Sequence, residues 1–126
     1  MKSPIEIVRV SGRARDQLIT LKRRTGIEHW HTLCRWAVCV SLAEKSVPPK
    51  ERLVANSSVE IEWRTFGQEY ADTILALLKQ RCHQDFKKVD DKLLQEQFKL
   101  HLHRGISYLA GNKGLKSVGD LVGMIG

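Results

Sequence analysis

Cysteine is scarce in this 126-residue chain, and the three present, Cys34, Cys39 and Cys82, are too few and too scattered to form a disulfide framework. Nor can they supply the four thiolates of an iron–sulfur cage. Long apolar runs are also missing. Met1–Val10 has no apolar h-region, and no stretch approaches the roughly 20 residues needed to span a membrane, so the cytoplasm is the expected compartment. No P-loop or dinucleotide-binding glycine pattern appears, and no Ser/His/Asp or Cys/His arrangement is legible. His31 and Cys34 stand at i, i+3, but a structural zinc needs four ligands and Cys39 lies off that face. Glu60 and Glu62 share a strand face that is expected to meet solvent, so they do not form a general acid/base pair. These absences predict a protein without catalytic site, metal or cofactor. There is no internal repeat and no low-complexity stretch.

Positive charge is abundant. The net charge is +7 and the isoelectric point about 9.6. It is distributed unevenly: residues 1–35 balance at +5, 36–78 at −2 and 79–116 at +5, with Asp120 adding one negative charge. Two basic ends flanking an acidic middle suit a polyanion, because each neutralised phosphate releases condensed counterions.

The hydrophobic pattern predicts a mainly α, single-domain chain of four helices and two short strands, arranged as 1–45, 46–65 and 66–126. Ile5–Val10 is a β-rich run. Ser11 is an N-cap for a helix from Gly12 to Thr25, with Ala14, Leu18 and Leu21 on one face and Gly26 as its stop. A second helix, Glu28–Glu44, is apolar nearly all round and is expected to be buried within the domain or between subunits, which predicts a dimer or tetramer. Val47-Pro48-Pro49-Lys50 breaks the chain. Val59–Arg64 alternates as a half-buried strand. A third helix runs from Phe66 to near His83 with Tyr70, Ile74, Leu77 and Leu78 inward, and a fourth covers Asp91–Leu109 with Leu94, Phe98, Leu102, Ile106 and Leu109 inward. A short helix is expected near Ser117–Val122.

On the first helix Arg13, Arg15, Lys22, Arg23 and Arg24 border the apolar stripe, with Asp16 as the only acid among them. A second basic group, Lys79, Arg81, Lys87, Lys88 and Lys92, gathers at the junction of the two long helices, with Lys99, Arg104, Lys113 and Lys116 continuing it. Both are candidate phosphate contacts. Gln97, His101, Arg104 and Tyr108 form a polar stripe, either a phosphate fork through Arg104 or a hydrogen-bonded seam between subunits. Gly111-Asn112-Lys113-Gly114 could offer a nest of backbone amides.

The order strand–helix–helix over Ile5–Glu44 resembles the ribbon-helix-helix DNA-binding unit. A closer likeness covers nearly the whole chain. The runs Leu21-Lys22-Arg23-Arg24-Thr25-Gly26, Leu33-Cys34-Arg35-Trp36-Ala37, Trp63-Arg64-Thr65-Phe66-Gly67, Leu77-Leu78-Lys79-Gln80-Arg81-Cys82 and His101-Leu102-His103-Arg104-Gly105 resemble the DndE family of the bacterial DNA sulfur-modification (Dnd) system. The resemblance implies a role in DNA phosphorothioation and partners among the other Dnd proteins. With no source of sulfur or energy in the chain, the expected role is a non-catalytic one: binding the backbone of double-stranded DNA, at nicks in particular, with assembly of the other subunits as the alternative.

Overall fold

The computed structural model describes residues 3–54, 56–112 and 119–120, and its two strands are three residues each. Strand β1 (Ile7–Arg9) pairs antiparallel with β2 (Glu60–Glu62) in the register Ile7↔Glu62, Val8↔Ile61, Arg9↔Glu60. Both alternate exposed–buried–exposed, so Val8 and Ile61 face the core while Glu60 and Glu62 face solvent, as expected. The likeness to a ribbon-helix-helix unit therefore stops at element order: β1 takes its partner from its own chain.

Helix α1 (Gly12–Thr25) has the bounds that local signals set. Ser11 Oγ accepts from the Ala14 amide at 3.1 Å, and Gly26, at φ 75°, donates its amide to the Lys22 carbonyl. Its buried residues are Ala14, Leu18 and Leu21. Helix α2 (Trp30–Ala43) buries Leu33, Cys34, Ala37, Val38, Val40 and Ser41. It packs chiefly on α5 (Asp91–Gly111), which crosses so closely that a Cβ on Gly105 would overlap the Ala37 backbone. The apolar surface of α2 is thus consumed largely within the chain, with Trp30, Trp36, Cys39 and Leu42 left partly buried and Ala43 exposed. The argument that this helix needs a second subunit to cover it does not hold.

The third helix is the main departure from expectation. Instead of one run from Phe66, the chain forms α3 (Trp63–Gly67), a 3-10 turn (Gln68–Tyr70) and α4 (Ala71–Phe86). Arg35 of α2 donates to the Phe66 carbonyl at 2.8 Å, the group a continuous helix would use for the Tyr70 amide. Gln68, at φ 48°, redirects the backbone there. The break rotates the inner stripe of α4 to Ile74, Leu78 and Cys82, leaving Tyr70 and Leu77 exposed. Helix α5 begins with Asp90 Oδ1 accepting from the Leu93 amide at 2.8 Å and buries the whole expected stripe from Leu94 to Leu109. Trp63, Phe66 and Phe98 pack with ring centroids 5.2–5.4 Å apart, joining the end of the sheet to α5. Among the described residues no helix is long and apolar enough to cross a membrane. The expected helix near Ser117–Val122 and the Lys113–Gly114 nest fall largely outside the described residues.

Candidate nucleic-acid interface

The predicted cations divide into three groups once their surroundings are read. Arg104 and Arg81 are internal staples. Arg104 is buried and donates through Nε to Ser41 Oγ at 2.8 Å, through Nη2 to the Ser41 carbonyl at 2.8 Å, and through Nη1 to the Ser46 carbonyl at 2.9 Å. Arg81 donates to the carbonyls of Leu42 and Glu44. Both guanidiniums close the C-terminal end of α2, where unpaired carbonyls and the negative helix pole favour a cation. The expected phosphate fork of Arg104 is corrected accordingly: its donors are spent inside the chain.

The second group surrounds the C-terminus of α1. Lys22 Nζ lies 4.4 Å from the Trp30 ring centroid, and Arg24 Nη1 donates to the Ala110 carbonyl at 2.9 Å, while Arg23 is exposed. At the other end of the molecule Lys79, Lys87 and Lys88 are exposed, and Lys88 pairs with Asp90 at 3.7 Å. Arg24 is fastened beside Ala110 and Lys88 to Asp90, the residue that caps the start of α5, so these groups are separated by the length of α5, about 28 Å at 1.5 Å per residue. Lys22, Arg23 and Arg24 therefore do not share one patch of the single chain with Lys79, Lys87 and Lys88.

A third group does converge. Arg13 and Arg15 line a cleft at the start of α1 with Asn56 and Ser57. Arg13 also lines a second cleft with Arg52, Glu51 and Ser107, and Glu51 borders a third with Lys50, Lys92 and Lys99. The clefts share walls, so Arg15, Arg13, Arg52, Lys50, Lys92 and Lys99 follow one track from the N-terminus of α1 to the N-terminal half of α5. Among the described residues, the only ion pair within this set is Arg15–Asp16, at 3.5 Å. No acid occupies the first turn of α1, whose positive pole adds to the field. Lys50 and Arg52 were invisible to helix-face reasoning because they lie in the segment after Pro48-Pro49. The alternation Lys50-Glu51-Arg52 was the available signal.

The polar run on α5 is a seam within the chain and not between subunits. Arg104 Nε can only donate, so Ser41 Oγ accepts from it and shares a second hydrogen bond of 2.8 Å with His101 Nδ1. The Nε2 atom of His101 is buried without a partner among the described residues, as is Gln97 Oε1 one turn earlier. Burial, with the Arg104 and Arg81 charges nearby, drives His101 down to about 3. His103 Nε2 accepts the Ser11 amide at 3.1 Å and Nδ1 donates to the Lys99 carbonyl at 2.8 Å, which fixes a neutral ring, and burial lowers its pKa as well. The thiols are raised by burial, Cys34 to about 12 and Cys82 to about 11, so neither supplies a thiolate at neutral pH. Among the described residues no three His, Cys, Asp or Glu side chains gather as metal ligands.

Known proteins agree with this architecture. The crystal structure of DndE from Escherichia coli B7A, involved in DNA phosphorothioation modification, superposes with a TM-score of 0.70 at 21% identity, covering 86% of this chain and 99% of that one. A DndE G21/24K mutant involved in DNA phosphorothioation gives 0.64 at 20% identity, covering 82% and 95%. Comparison with curated protein sequences gives no match. A family model described as DNA sulphur modification protein DndE matches residues 7–117, and the chain therefore belongs to the DndE family.

Proposed function

We propose that this protein is a non-catalytic, cytoplasmic subunit of DNA sulfur modification that grips the phosphate backbone of double-stranded DNA, with a preference for nicks, where an opened backbone accompanies exchange of oxygen for sulfur. The observation that carries the reading is the track of six cations along contiguous clefts, where Asp16, Glu51 and Glu96 are outnumbered two to one and, among the described residues, only Asp16 forms an ion pair with a member of the track, Arg15. A run of phosphates can be met there without any base-reading helix. Homo-oligomerisation belongs to the same reading. Its support is the exposed Leu77 and Phe86 of α4 together with Tyr70 of the preceding turn, not α2.

The test is a binding titration on intact and nicked duplexes over a range of salt. Six phosphate contacts give a slope of log K against log salt of about −5. The double variant Lys50→Glu/Arg52→Glu lowers the magnitude of the slope by about 2 for all sequences alike. Equal affinity for nicked and intact duplex sinks the nick preference, and a slope near zero sinks the DNA reading. Sedimentation at 14.4 kDa would remove the oligomer. The alternative role, assembling the other sulfur-modification proteins, is favoured by a different feature, the open edge of β1.

A further inference from the structure

Among the described residues the two-stranded sheet has an unpaired edge, and it opens into a cleft. The Trp63 amide donates to the Glu6 carbonyl at 2.9 Å and Ser57 Oγ donates to the Val10 carbonyl at 2.8 Å, so residues 6, 8 and 10 turn their backbone groups toward β2. By the alternation of antiparallel strands, Ile7 and Arg9 direct their N–H and C=O groups the other way. That edge forms one wall of a groove of about 600 Å³, and α5 forms the other through Asp91, Gln95, Phe98 and Lys99. Gln95 Nε2, bonded to the Pro4 carbonyl at 2.8 Å, ties the walls together at one point. Ile7 is 41% exposed beside it.

We propose that this groove takes an extended peptide segment of a partner protein, added to β1 as a third strand. A strand edge facing a helix admits a single extended chain. A second copy of this protein fits poorly, because its own β1 is walled by its own α5. The groove also has a charge direction. Gln95 sits by Pro4 and His103 by Ser11, so α5 runs alongside β1 in the same sense. Asp91 therefore lies at the end where the strand begins, while Lys99 lies at the far end beside Arg9, whose Nε donates to Glu60 Oε1 at 3.0 Å. The fitting occupant alternates small apolar residues and carries a carboxylate at the Arg9–Lys99 end and a cation at the Asp91 end. Its backbone would satisfy the four outward groups of Ile7 and Arg9. This inference stands beside the DNA reading and does not depend on it.

The experiment uses the ¹⁵N-labelled full chain titrated with two N-acetylated peptides, Lys-Val-Thr-Val-Thr-Val-Glu and its reversed order, which suit parallel and antiparallel addition respectively. One of them should shift the amides of Ile7, Arg9, Gln95 and Lys99 and saturate. Ile7→Pro removes an outward donor and fills the opening while keeping the bonds to β2. It should weaken that peptide at least tenfold with DNA affinity unchanged. Lys99→Glu should abolish the preference between the two peptides, and this variant carries the test if Ile7→Pro fails to fold. The inference is overturned if neither peptide moves the Ile7 and Arg9 amides, if folded Ile7→Pro binds like the parent, or if Lys99→Glu leaves the preference untouched.

Discussion

Replacing Gly105 with alanine probes the closest approach in the fold. In an isolated helix the change is favourable by about 1 kcal/mol, because alanine is the better helix former. Here the added carbon would stand 2.8 Å from the Ala37 Cα and nearer still to the Ala37 carbonyl. Ordinary carbon contacts begin near 3.5 Å, so α2 and α5 must part by on the order of 1 Å. Backbone cannot swing aside as a flexible side chain can. Overpacking of this kind costs about 1–3 kcal/mol or more. The parting also stretches the Arg104–Ser41 and His101–Ser41 bonds, each 2.8 Å long. The net loss should exceed about 3 kcal/mol, a large share of a total near 5–15 kcal/mol. At roughly 4 °C per kcal/mol the melting temperature falls by more than 10 °C. The control is Gly111→Ala at the end of the same helix, where no described residue lies within 4 Å and stability should hold or rise slightly. Circular dichroism during heating reads both. A Gly105→Ala protein as stable as its parent would refute the α2–α5 crossing.

Two further outcomes follow from the same seam. Arg104→Lys keeps the charge but cannot reach Ser41 Oγ, the Ser41 carbonyl and the Ser46 carbonyl together, so stability should fall by about 2 kcal/mol in urea while the DNA salt slope stays fixed; the opposite pattern would return Arg104 to the DNA surface. Acid should also loosen the seam. An unfolded His101 takes up its proton near 6.5, whereas the folded one resists until about 3, so stability is whole above pH 6.5 and is lost as pH falls through that window. His101 alone contributes a loss of about 2–3 kcal/mol by pH 4.5 at 1.36 kcal/mol per unit. Urea midpoints from pH 7 to 4.5 measure it, and a His101→Gln variant with the same pH slope as the parent would contradict the assignment.

Sequence reading succeeded where the deciding contacts are local. Ser11, Gly26 and Asp90 each act on amides or carbonyls within four residues, so α1 and the start of α5 were legible. The apolar stripe of α5 was legible for the same reason, since its spacing belongs to the helix itself. The break at Gln68 was not, because the group that takes the Phe66 carbonyl comes from Arg35, 31 residues away. Shifting the start of α4 then moved Tyr70 and Leu77 from the predicted core to the surface.

The basic interface divides along the same line. Net charge, its concentration toward the two ends and the scarcity of thiol, metal and nucleotide motifs are properties of composition and order, and they pointed to a phosphate-binding protein without a visible catalytic centre. Which cations remain free to meet phosphate is a question of distant partners. Arg81 and Arg104 satisfy carbonyls 37–63 residues away in the sequence, while Lys50 and Arg52, outside any helix, come to lie against α1 and α5. The primary sequence fixes how many charges a chain carries. Only folding decides which of them stay exposed, because a guanidinium is withdrawn from solvent when the carbonyls that receive it are brought within 3 Å by helices packed from remote parts of the chain.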